Sequence, residues 1–215
     1  MRDSGAPERF DVAFEMGCGT GHLTRRLCSN FEMRALTVND LSPEAARAAK
    51  AAGATFLCGD ALQMDWPEKP QLIASASMIQ WLPDPARLLQ RAARALAPGG
   101  WLAISGFGPE QYRELAHLGS HAGAPGLQSL ADMAAALKDE LDVFVTGERI
   151  REMHFPTPRC VLDHLRKTGV NGKAQGVWSK SRLAQFSADY SQRFGGPAGV
   201  TLTYHPVWII GQKRN

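Results

Sequence analysis

The sequence predicts an α/β fold in which helices cover both faces of a doubly wound, mostly parallel sheet of seven strands. Short apolar segments alternate with helical segments over the first half of the chain, and a glycine-rich turn follows the first apolar segment. Acidic residues stand at the ends of three successive apolar segments. Right-handed crossovers place helices on both faces of a parallel sheet, so this alternation is typical of a doubly wound fold. The 215 residues suit one domain.

The core of the predicted domain covers about residues 10–106. Its strands are predicted at 11–16, 35–39, 54–58, 71–75 and 101–105. The helices between them are predicted at 22–30, 43–52 and 85–96. Ser42 and Pro43 suit the N-cap and the first position of the second of these helices, and Gly53 suits its C-cap.

Beyond residue 106 the pattern changes, and we predict a helical cap inserted over about residues 107–200. Its helices are predicted at 110–118, 129–141, 157–167 and 179–194, with a strand-like segment at 143–155. The last apolar run, at about 201–211, predicts a final strand that is antiparallel to the others. Pro206 lies inside this run and predicts an edge position or a bulge there, because proline cannot donate to a ladder.

Composition indicates a globular protein of the cytoplasm. Hydrophobic residues make up 44% of the chain and charged residues 21%. There is no run of the roughly 20 apolar residues that cross a bilayer, and the first residues lack the apolar core of a secretory signal. We therefore expect no membrane association. The cysteines have neither a C-x-x-C spacing nor a histidine set beside them, so no metal site is expected; they are Cys18, Cys28, Cys58 and Cys160.

The positive charge is concentrated in the last third of the chain. Through Asp142 there are 13 Lys and Arg against 17 Asp and Glu, and from Val143 onward there are 11 against 4. Such a region is either a solvated basic face or a docking surface for an acidic partner. Aromatic residues are not interleaved with the basic ones, which disfavours nucleic acid. The candidate docking residues are Arg166, Lys167, Lys173 and Arg182.

A glycine-rich motif, Glu15-x-Gly17-x-Gly19-x-Gly21, follows the first predicted strand and opens a helix. Glycines at such a turn let backbone amides approach a ligand closely. The spacing differs from the G-x-G-x-x-G pattern of dinucleotide enzymes, which argues against NAD. Cys18 lies within the motif, where a small side chain is needed.

Acidic residues end the first three predicted strands in register. Asp40 is placed to accept both ribose hydroxyls of a nucleoside, or else caps the following helix. Asp60 is placed to accept from an adenine amine, or else is an ordinary turn carboxylate. Together with Glu15, these residues indicate a nucleoside cofactor more strongly than any one of them does alone.

This combination resembles the class I S-adenosylmethionine-dependent methyltransferases over about residues 10–106. The segments that resemble their motifs are FEMGCGTG, VNDLSPE, GDALQMDWP and LAPGGWLAIS. The resemblance implies that Glu15 lies near the amino-acid part of the cofactor, Asp40 at the ribose and Asp60 at the adenine, with residues 75–80 beside the reactive methyl. The implied cofactor-binding set is Glu15, Gly17, Cys18, Gly19, Gly21, Asp40, Leu41, Asp60, Ala61, Ser75, Ala76 and Gln80.

A narrower resemblance covers nearly the whole chain. The segments SMIQW, FGP, HLRKTGVN and LTYHP are similar to signatures of the malonyl-(acyl-carrier protein) O-methyltransferase family of biotin synthesis, BioC. The resemblance implies methylation of the free carboxyl of a malonyl thioester on an acyl carrier protein, towards pimelate. A carboxylate is ionised near pH 7, so no general base is required and no catalytic residue is assigned. The candidate substrate contacts are Trp81, Phe107, Arg166 and Tyr204.

One feature departs from that family. Its members usually carry an N-terminal helical segment with Tyr and His residues, whereas about ten residues without Tyr or His precede Asp11. From this chain we expect good cofactor binding with slow turnover. Three alternatives stay open: a methyltransferase acting on another small acid such as trans-aconitate, a catalytically silent cofactor-binding or partner protein, and, with less support, a nucleic-acid methyltransferase.

Overall fold

The computed structural model describes residues 1–119, 124–168 and 178–215. The strands are β1 (Arg9–Met16), β2 (Glu32–Asp40), β3 (Thr55–Cys58), β4 (Leu72–Ala76), β5 (Trp101–Phe107), β6 (Leu141–Glu148), β7 (Arg151–Phe155), β8 (Gly195–Gly196), β9 (Gly199–Tyr204) and β10 (Pro206–Lys213). The helices are α1 (His22–Asn30), α2 (Ala46–Ala51), α3 (Pro85–Ala95), α4 (Arg113–His117), α5 (Leu130–Leu137), α6 (Pro158–Lys167) and α7 (Lys180–Phe194). Among the described residues, no helix combines the length and apolar character needed to span a bilayer.

The main sheet has seven strands in the order β3-β2-β1-β4-β5-β10-β6. The strands from β3 to β5 are parallel, and β10 runs antiparallel to both β5 and β6. The predicted doubly wound, mostly parallel sheet with an antiparallel last strand is confirmed. The chain reverses its direction of winding between β1 and β4, and such a switch point opens a crevice at the carboxyl ends of the strands.

Helices pack on both faces of this sheet because neighbouring side chains on a strand point to opposite sides. On β4, Leu72 and Ala74 face the side where α1 and α2 pack, and Ile73 faces the side of α3 and α5. Helix α3 is held at its start by Asp84, which accepts from the Arg87 N–H at 3.2 Å. Buried apolar side chains on both faces therefore fix the edge of the sheet from which the functional loops emerge.

The segment after β2 departs from its prediction. The chain forms a 3₁₀ turn over Pro43–Ala45 before α2 begins at Ala46. Ser42 stands at the N-cap but bonds to the Glu44 carboxylate instead of capping a backbone N–H. Its own N–H donates to Asp40 at 2.9 Å. Asp40 therefore organises this turn, in line with the prediction that it caps the start of the following helix.

The cap contains a sheet that the sequence did not predict. Strands β7, β9 and β8 form a three-stranded antiparallel sheet. Helices α4, α6 and α7 enclose a separate buried cluster against it; this cluster consists of Tyr112, Leu115, Val161, Leu165, Tyr190, Val200 and Leu202. The Tyr190 hydroxyl donates to the Thr201 carbonyl at 2.7 Å, which ties α7 to β9.

Two predicted strands are each divided between the two sheets. The run 201–211 is β9 in the cap and β10 in the main sheet, separated at His205. The run 143–155 is likewise divided into β6 and β7. Pro206 is not at an edge: it begins β10, which lies between β5 and β6, and the register shift falls at Ile210 and Gly211. The two divided runs form a ribbon that leaves one sheet and enters the other.

Arg91 on α3 holds the turn that follows β3. Its guanidinium donates to the carbonyls of Ala61, Leu62 and Met64 at 3.0, 2.6 and 2.6 Å. It also lies 4.4 Å from the centroid of the Trp66 ring, which is a cation–π contact. The turn between β3 and β4 is thereby fixed against α3.

We expect Arg91→Met to lower the free energy of unfolding by about 1–3 kcal/mol, because it leaves the carbonyls of Leu62 and Met64 without this donor. Arg91→Lys should recover part of this loss, since one ammonium cannot reach three carbonyls in the same planar geometry. Urea denaturation measures both variants against Arg87→Met, an exposed arginine on the same helix. Equal stability of the Arg91 and Arg87 variants would contradict the structural role.

Candidate functional site

A cleft of about 800 Å³ opens at the carboxyl ends of β1 to β4, where the direction of winding reverses. It brings together residues from four strand ends that are far apart in the chain. The sequence-predicted residues that line it are Glu15, Gly17, Cys18, Gly19, Asp40, Leu41, Asp60, Ala61, Ala76 and Trp81. Residues that were not predicted also line it; they are Thr20, His22, Leu23, Asn39, Leu82 and Thr168.

The glycine turn after β1 forms one wall of the cleft. Gly17 has φ +67°, and a Cβ there would lie 2.3 Å from Cγ of Met78. Any larger residue would therefore strain the backbone and displace Met78. Gly19 has φ +51° and no atom within 4 Å of where its Cβ would be. Glycine is needed at the first position for close packing and at both positions for backbone conformation.

Asp40 joins the glycine turn to the end of β2. Its Oδ2 accepts from the Gly19 N–H at 2.7 Å, and its Oδ1 accepts from the Ser42 N–H at 2.9 Å. The side chain is half-buried and lines the cleft. A carboxylate has about four acceptor positions, so these two bonds leave capacity for hydroxyl groups of a ligand. Asp40 can thus both cap the turn and bind a ligand.

Glu15 is the most unusual polar group of the cleft. It is 1% exposed, and within the described part of the chain neither carboxylate oxygen has a hydrogen-bond partner. Burial raises the pKa of this carboxyl to about 7, the neighbouring Thr24 opposes the rise, and Asp40 adds a small increase. Buried polar groups are nearly always paired in proteins. An unpaired carboxylate on the wall of a cleft suits a cationic group of a ligand.

The third strand end offers a weaker case for ligand binding. Asp60 accepts from the Leu62 N–H at 2.8 Å and from the Gln63 side chain at 3.3 Å, which makes it a turn carboxylate. The Asp60 interaction with an adenine amine stays a prediction.

Leu41, which follows β2, lines the cleft with 72% of its surface exposed. An exposed apolar side chain at this position suits the flat apolar face of a ligand.

Three of the predicted cofactor residues do not line the cleft but support its walls. The Ser75 hydroxyl donates to the Met16 carbonyl at 2.8 Å and joins β4 to β1. The Gln80 side chain donates to the Ser77 carbonyl at 2.5 Å, and the Gly21 N–H donates to Cys18 at 2.8 Å. Their direct contact with a cofactor stays a prediction.

Ser77 is a strained residue of the cleft wall. Its φ of +55° lies in the left-handed region, which residues other than glycine rarely adopt. Its N–H donates to the Ser105 carbonyl at 2.9 Å, and its carbonyl accepts from Gln80. Strain of this kind persists where surrounding bonds fix it, and it is frequent at functional sites.

The predicted substrate contacts are divided between different places. Trp81 lines the first cleft, whereas Phe107 and Tyr204 line a second cleft of about 740 Å³. We call this the arginine cleft; it is lined by Phe107, Arg149, Arg151, Glu152, Met153, Tyr204, Pro206 and Trp208. Arg166 lies on α6 with an exposed side chain, 3.7 Å from Asp163, and lines neither cleft.

The other predicted docking residues have different surroundings. Lys167 is exposed, and the Arg182 guanidinium lies 5.0 Å from the ring centroid of Trp178. Lys173 lies outside the described residues.

Within the described part of the chain, no group of His, Cys, Asp and Glu is arranged to hold a metal ion. Burial raises the pKa of the Cys18 thiol to about 12, with smaller contributions from Glu15 and Asp40, so Cys18 is not a thiolate at neutral pH.

Known proteins match both the sequence and the fold. A methyltransferase domain family matches residues 14–104. The chain is 34% identical to a malonyl-(acyl-carrier protein) O-methyltransferase of Bacteroides helcogenes, in a match that covers 97% of this chain and 83% of that protein. The chain belongs to the malonyl-(acyl-carrier protein) O-methyltransferase family. The resemblance inferred from the motifs is therefore confirmed.

Two further matches give the extent of this likeness. A protein of the same name from Bacteroides fragilis is 35% identical over 93% of this chain, which spans only 41% of that longer relative. The N-methyltransferase NodS of Bradyrhizobium japonicum, solved in complex with S-adenosyl-L-homocysteine, superposes with a TM-score of 0.56 and 16% identity. This match covers 96% of the chain and 80% of NodS, and it shows a shared fold.

The buried Glu15 predicts a dependence of stability on pH. Its pKa rises from 4.5 to about 7 in the folded chain. The unfolded carboxyl loses its proton first, so the free energy of unfolding falls as pH rises from about 4.5 to 7. We expect Glu15→Gln to remove this fall, which amounts to about 3 kcal/mol.

Urea denaturation at pH 4.5 and pH 8 measures the effect. Glu15→Gln should be close to the parent chain at pH 4.5 and more stable at pH 8. The exposed Glu8→Gln is the matched control and should show no such change. A Glu15→Gln variant that differs from the parent by the same amount at both pH values would rule out a raised pKa.

Proposed function

We propose that this chain binds S-adenosylmethionine in the cleft at the ends of β1 to β4. The strongest support is the buried, unpaired Glu15 carboxylate on the wall of that cleft, in a chain of this methyltransferase family. S-adenosylmethionine has an ammonium group and a sulfonium, so it can supply the cation that Glu15 lacks. NodS, which shares the fold, was solved with the demethylated form of this cofactor.

Each side of the cleft has residues suited to one part of the cofactor. Glu15 and the backbone of the glycine turn would hold the amino-acid end, and Asp40 would accept from the ribose hydroxyls with its remaining lone pairs. Leu41 and Ala61 would pack against the adenine, whose amine Asp60 would bind. Ala76 and Ser77 would border the end of the cleft at β4. These residues fit the group in charge and shape.

The proposed reaction is methylation of the free carboxyl of a malonyl thioester on an acyl carrier protein. The names of the relatives give O-methyl transfer and malonyl-(acyl-carrier protein) for those proteins. When bound, the cofactor supplies a methyl group already activated by its sulfonium. A carboxylate is an ionised nucleophile near pH 7, so the chain needs no general base. Its residues would orient the carboxylate and exclude water, which can account for several kcal/mol of a barrier.

The ester product would no longer be charged at that end, which allows elongation as if it were an ordinary fatty acyl chain, towards pimelate. Cytoplasmic localisation belongs to the same proposal, because the carrier-linked thioester is the proposed partner. The identity of the whole protein's substrate rests on relatives of which this chain spans 41% and 83%.

Methyl transfer from labelled cofactor tests the proposed function. We expect label in malonyl-acyl carrier protein and little in free malonate or trans-aconitate, since only the first offers the carrier. A Gly17→Val variant should lose transfer because its side chain would displace Met78. Preferential labelling of trans-aconitate would instead identify a small-acid methyltransferase.

Cofactor affinity tests the assignment of Asp40. We expect Asp40→Ala to weaken binding of S-adenosylmethionine by about 1–3 kcal/mol, because ribose hydroxyls lose their acceptor. Calorimetry measures this loss, and Glu44→Ala is the control because Glu44 lies close by but does not line the cleft. NAD should bind neither the parent nor the variant. Undiminished affinity in Asp40→Ala would show that Asp40 neither binds the ribose nor is needed to hold the glycine turn for the cofactor.

A further inference from the structure

The arginine cleft holds two positive charges that nothing in the described chain neutralises. The side chains of Arg149 and Arg151 line the cleft, and among the described residues they make no hydrogen bond or ion pair. The lining also contains the acidic Glu152, whose carboxylate already forms an ion pair with Arg113 at 2.7 Å. The lining of the cleft therefore carries a net positive charge, which would attract an anion.

Two exposed apolar side chains, Ile150 and Met153, lie close to these arginines along the chain. The large hydrophobic residues exposed in the described chain are Leu41, Val143, Phe144, Ile150 and Met153. Ile150 stands between the two arginines, 52% exposed, and Met153 lines the arginine cleft. Val143 and Phe144 lie nearer the start of β6, where Phe144 stacks on Trp101. Exposed apolar residues grouped around cations are typical of a surface that binds a protein with apolar and acidic groups.

The arginine cleft lies along the same edge of the sheet as the cleft at the ends of β1 to β4, which we call the cofactor cleft. Ser77, in the cofactor cleft, donates to Ser105 at 2.9 Å, and Phe107, in the arginine cleft, lies two residues further along β5. Arg149 follows the last residue of β6, three strands from β4 in the sheet order. At a strand spacing of about 4.8 Å, this separation is about 14 Å.

We infer that the arginine cleft receives the prosthetic arm of the acyl carrier, and that Arg149 and Arg151 bind the phosphodiester of that arm. This inference rests on the proposed function. The reacting carboxyl must lie in the cofactor cleft, whereas a second anion of the same substrate, further along the arm, faces the arginines. Phe107 and Tyr204 line the arginine cleft and would contact the arm there.

Arginine suits this role because its planar guanidinium matches phosphate oxygens in bidentate geometry. The exposed Ile150 and Met153 would contact the carrier protein itself once the arm is inserted. This surface differs from the docking residues that the sequence suggested, such as Arg166, whose part in docking stays a prediction.

The double variant Arg149→Ala/Arg151→Ala tests the inference with three substrates: malonyl-acyl carrier protein, malonyl-phosphopantetheine and malonyl-pantetheine. We expect kcat/KM to fall at least tenfold for the two substrates with a phosphate and to stay unchanged for malonyl-pantetheine. The matched control is Arg26→Ala/Arg34→Ala, which removes the same charge from exposed positions on α1 and β2. It should leave all three substrates unaffected.

Binding of phosphopantetheine and pantetheine, followed by calorimetry, gives a measurement that needs no turnover. The parent chain should prefer phosphopantetheine, and the double variant should lose this preference. A parent chain that shows this arginine-dependent preference but methylates no malonyl thioester would refute the proposed function and retain the anion site.

Three results would overturn the inference. A fall that is equal for malonyl-pantetheine would assign the arginines to the malonyl carboxylate. A fall limited to the intact carrier would assign them to its protein surface. No fall for any substrate, together with equal binding of phosphopantetheine and pantetheine, would make the arginines a solvated surface.

Discussion

The bond between the Asp40 carboxylate and the Gly19 N–H, at 2.7 Å, is the contact on which the cofactor cleft depends. It joins the turn after β1 to the turn after β2, and the second oxygen holds Ser42 at the start of the next helical turn. Glycine at position 19 loses more backbone freedom on ordering than any other residue type would. One carboxylate offsets that cost for both turns, and it does so at the switch point where a ligand can enter.

The cap is held on the core by contacts around His205. The Gly108 N–H donates to its carbonyl at 2.7 Å, its own N–H donates to Gln111 at 2.7 Å, and its Nδ1 accepts from the Glu110 N–H at 3.1 Å. Pro206 follows at once and pairs with Phe107 of β5. The loop after β5 and the ribbon that links the two sheets are thus tied together at one point. The arginine cleft lies beside this point because Phe107 and Pro206, which pair there, both line it.

The sequence predicted the parallel core of the sheet and its local elements well, and the tertiary placement of the cap poorly. Helix α1 matches its predicted range because apolar periodicity and the glycine turn define it within a few residues. The division of 201–211 could not be predicted, since no local pattern reveals which sheet each half pairs with. Arg149 and Arg151 gave no signal either, because an exposed arginine has the same sequence pattern on a solvated face as in a cleft. Thr168, from the cap, lines the cofactor cleft, and no local sequence pattern predicted that position either.

Opposite charges are separated along one edge of the sheet. Glu15 and Asp40 make the end at β1 and β2 acidic, and Arg149 and Arg151 make the end beyond β6 basic. A cationic cofactor and an anionic acyl substrate would each be attracted to one end and repelled by the other. The two ligands would then meet over β4 and β5, where Ser77 bonds to Ser105. In the proposed reaction, this charge separation would orient a methyl donor towards a carboxylate without any general base at the meeting point.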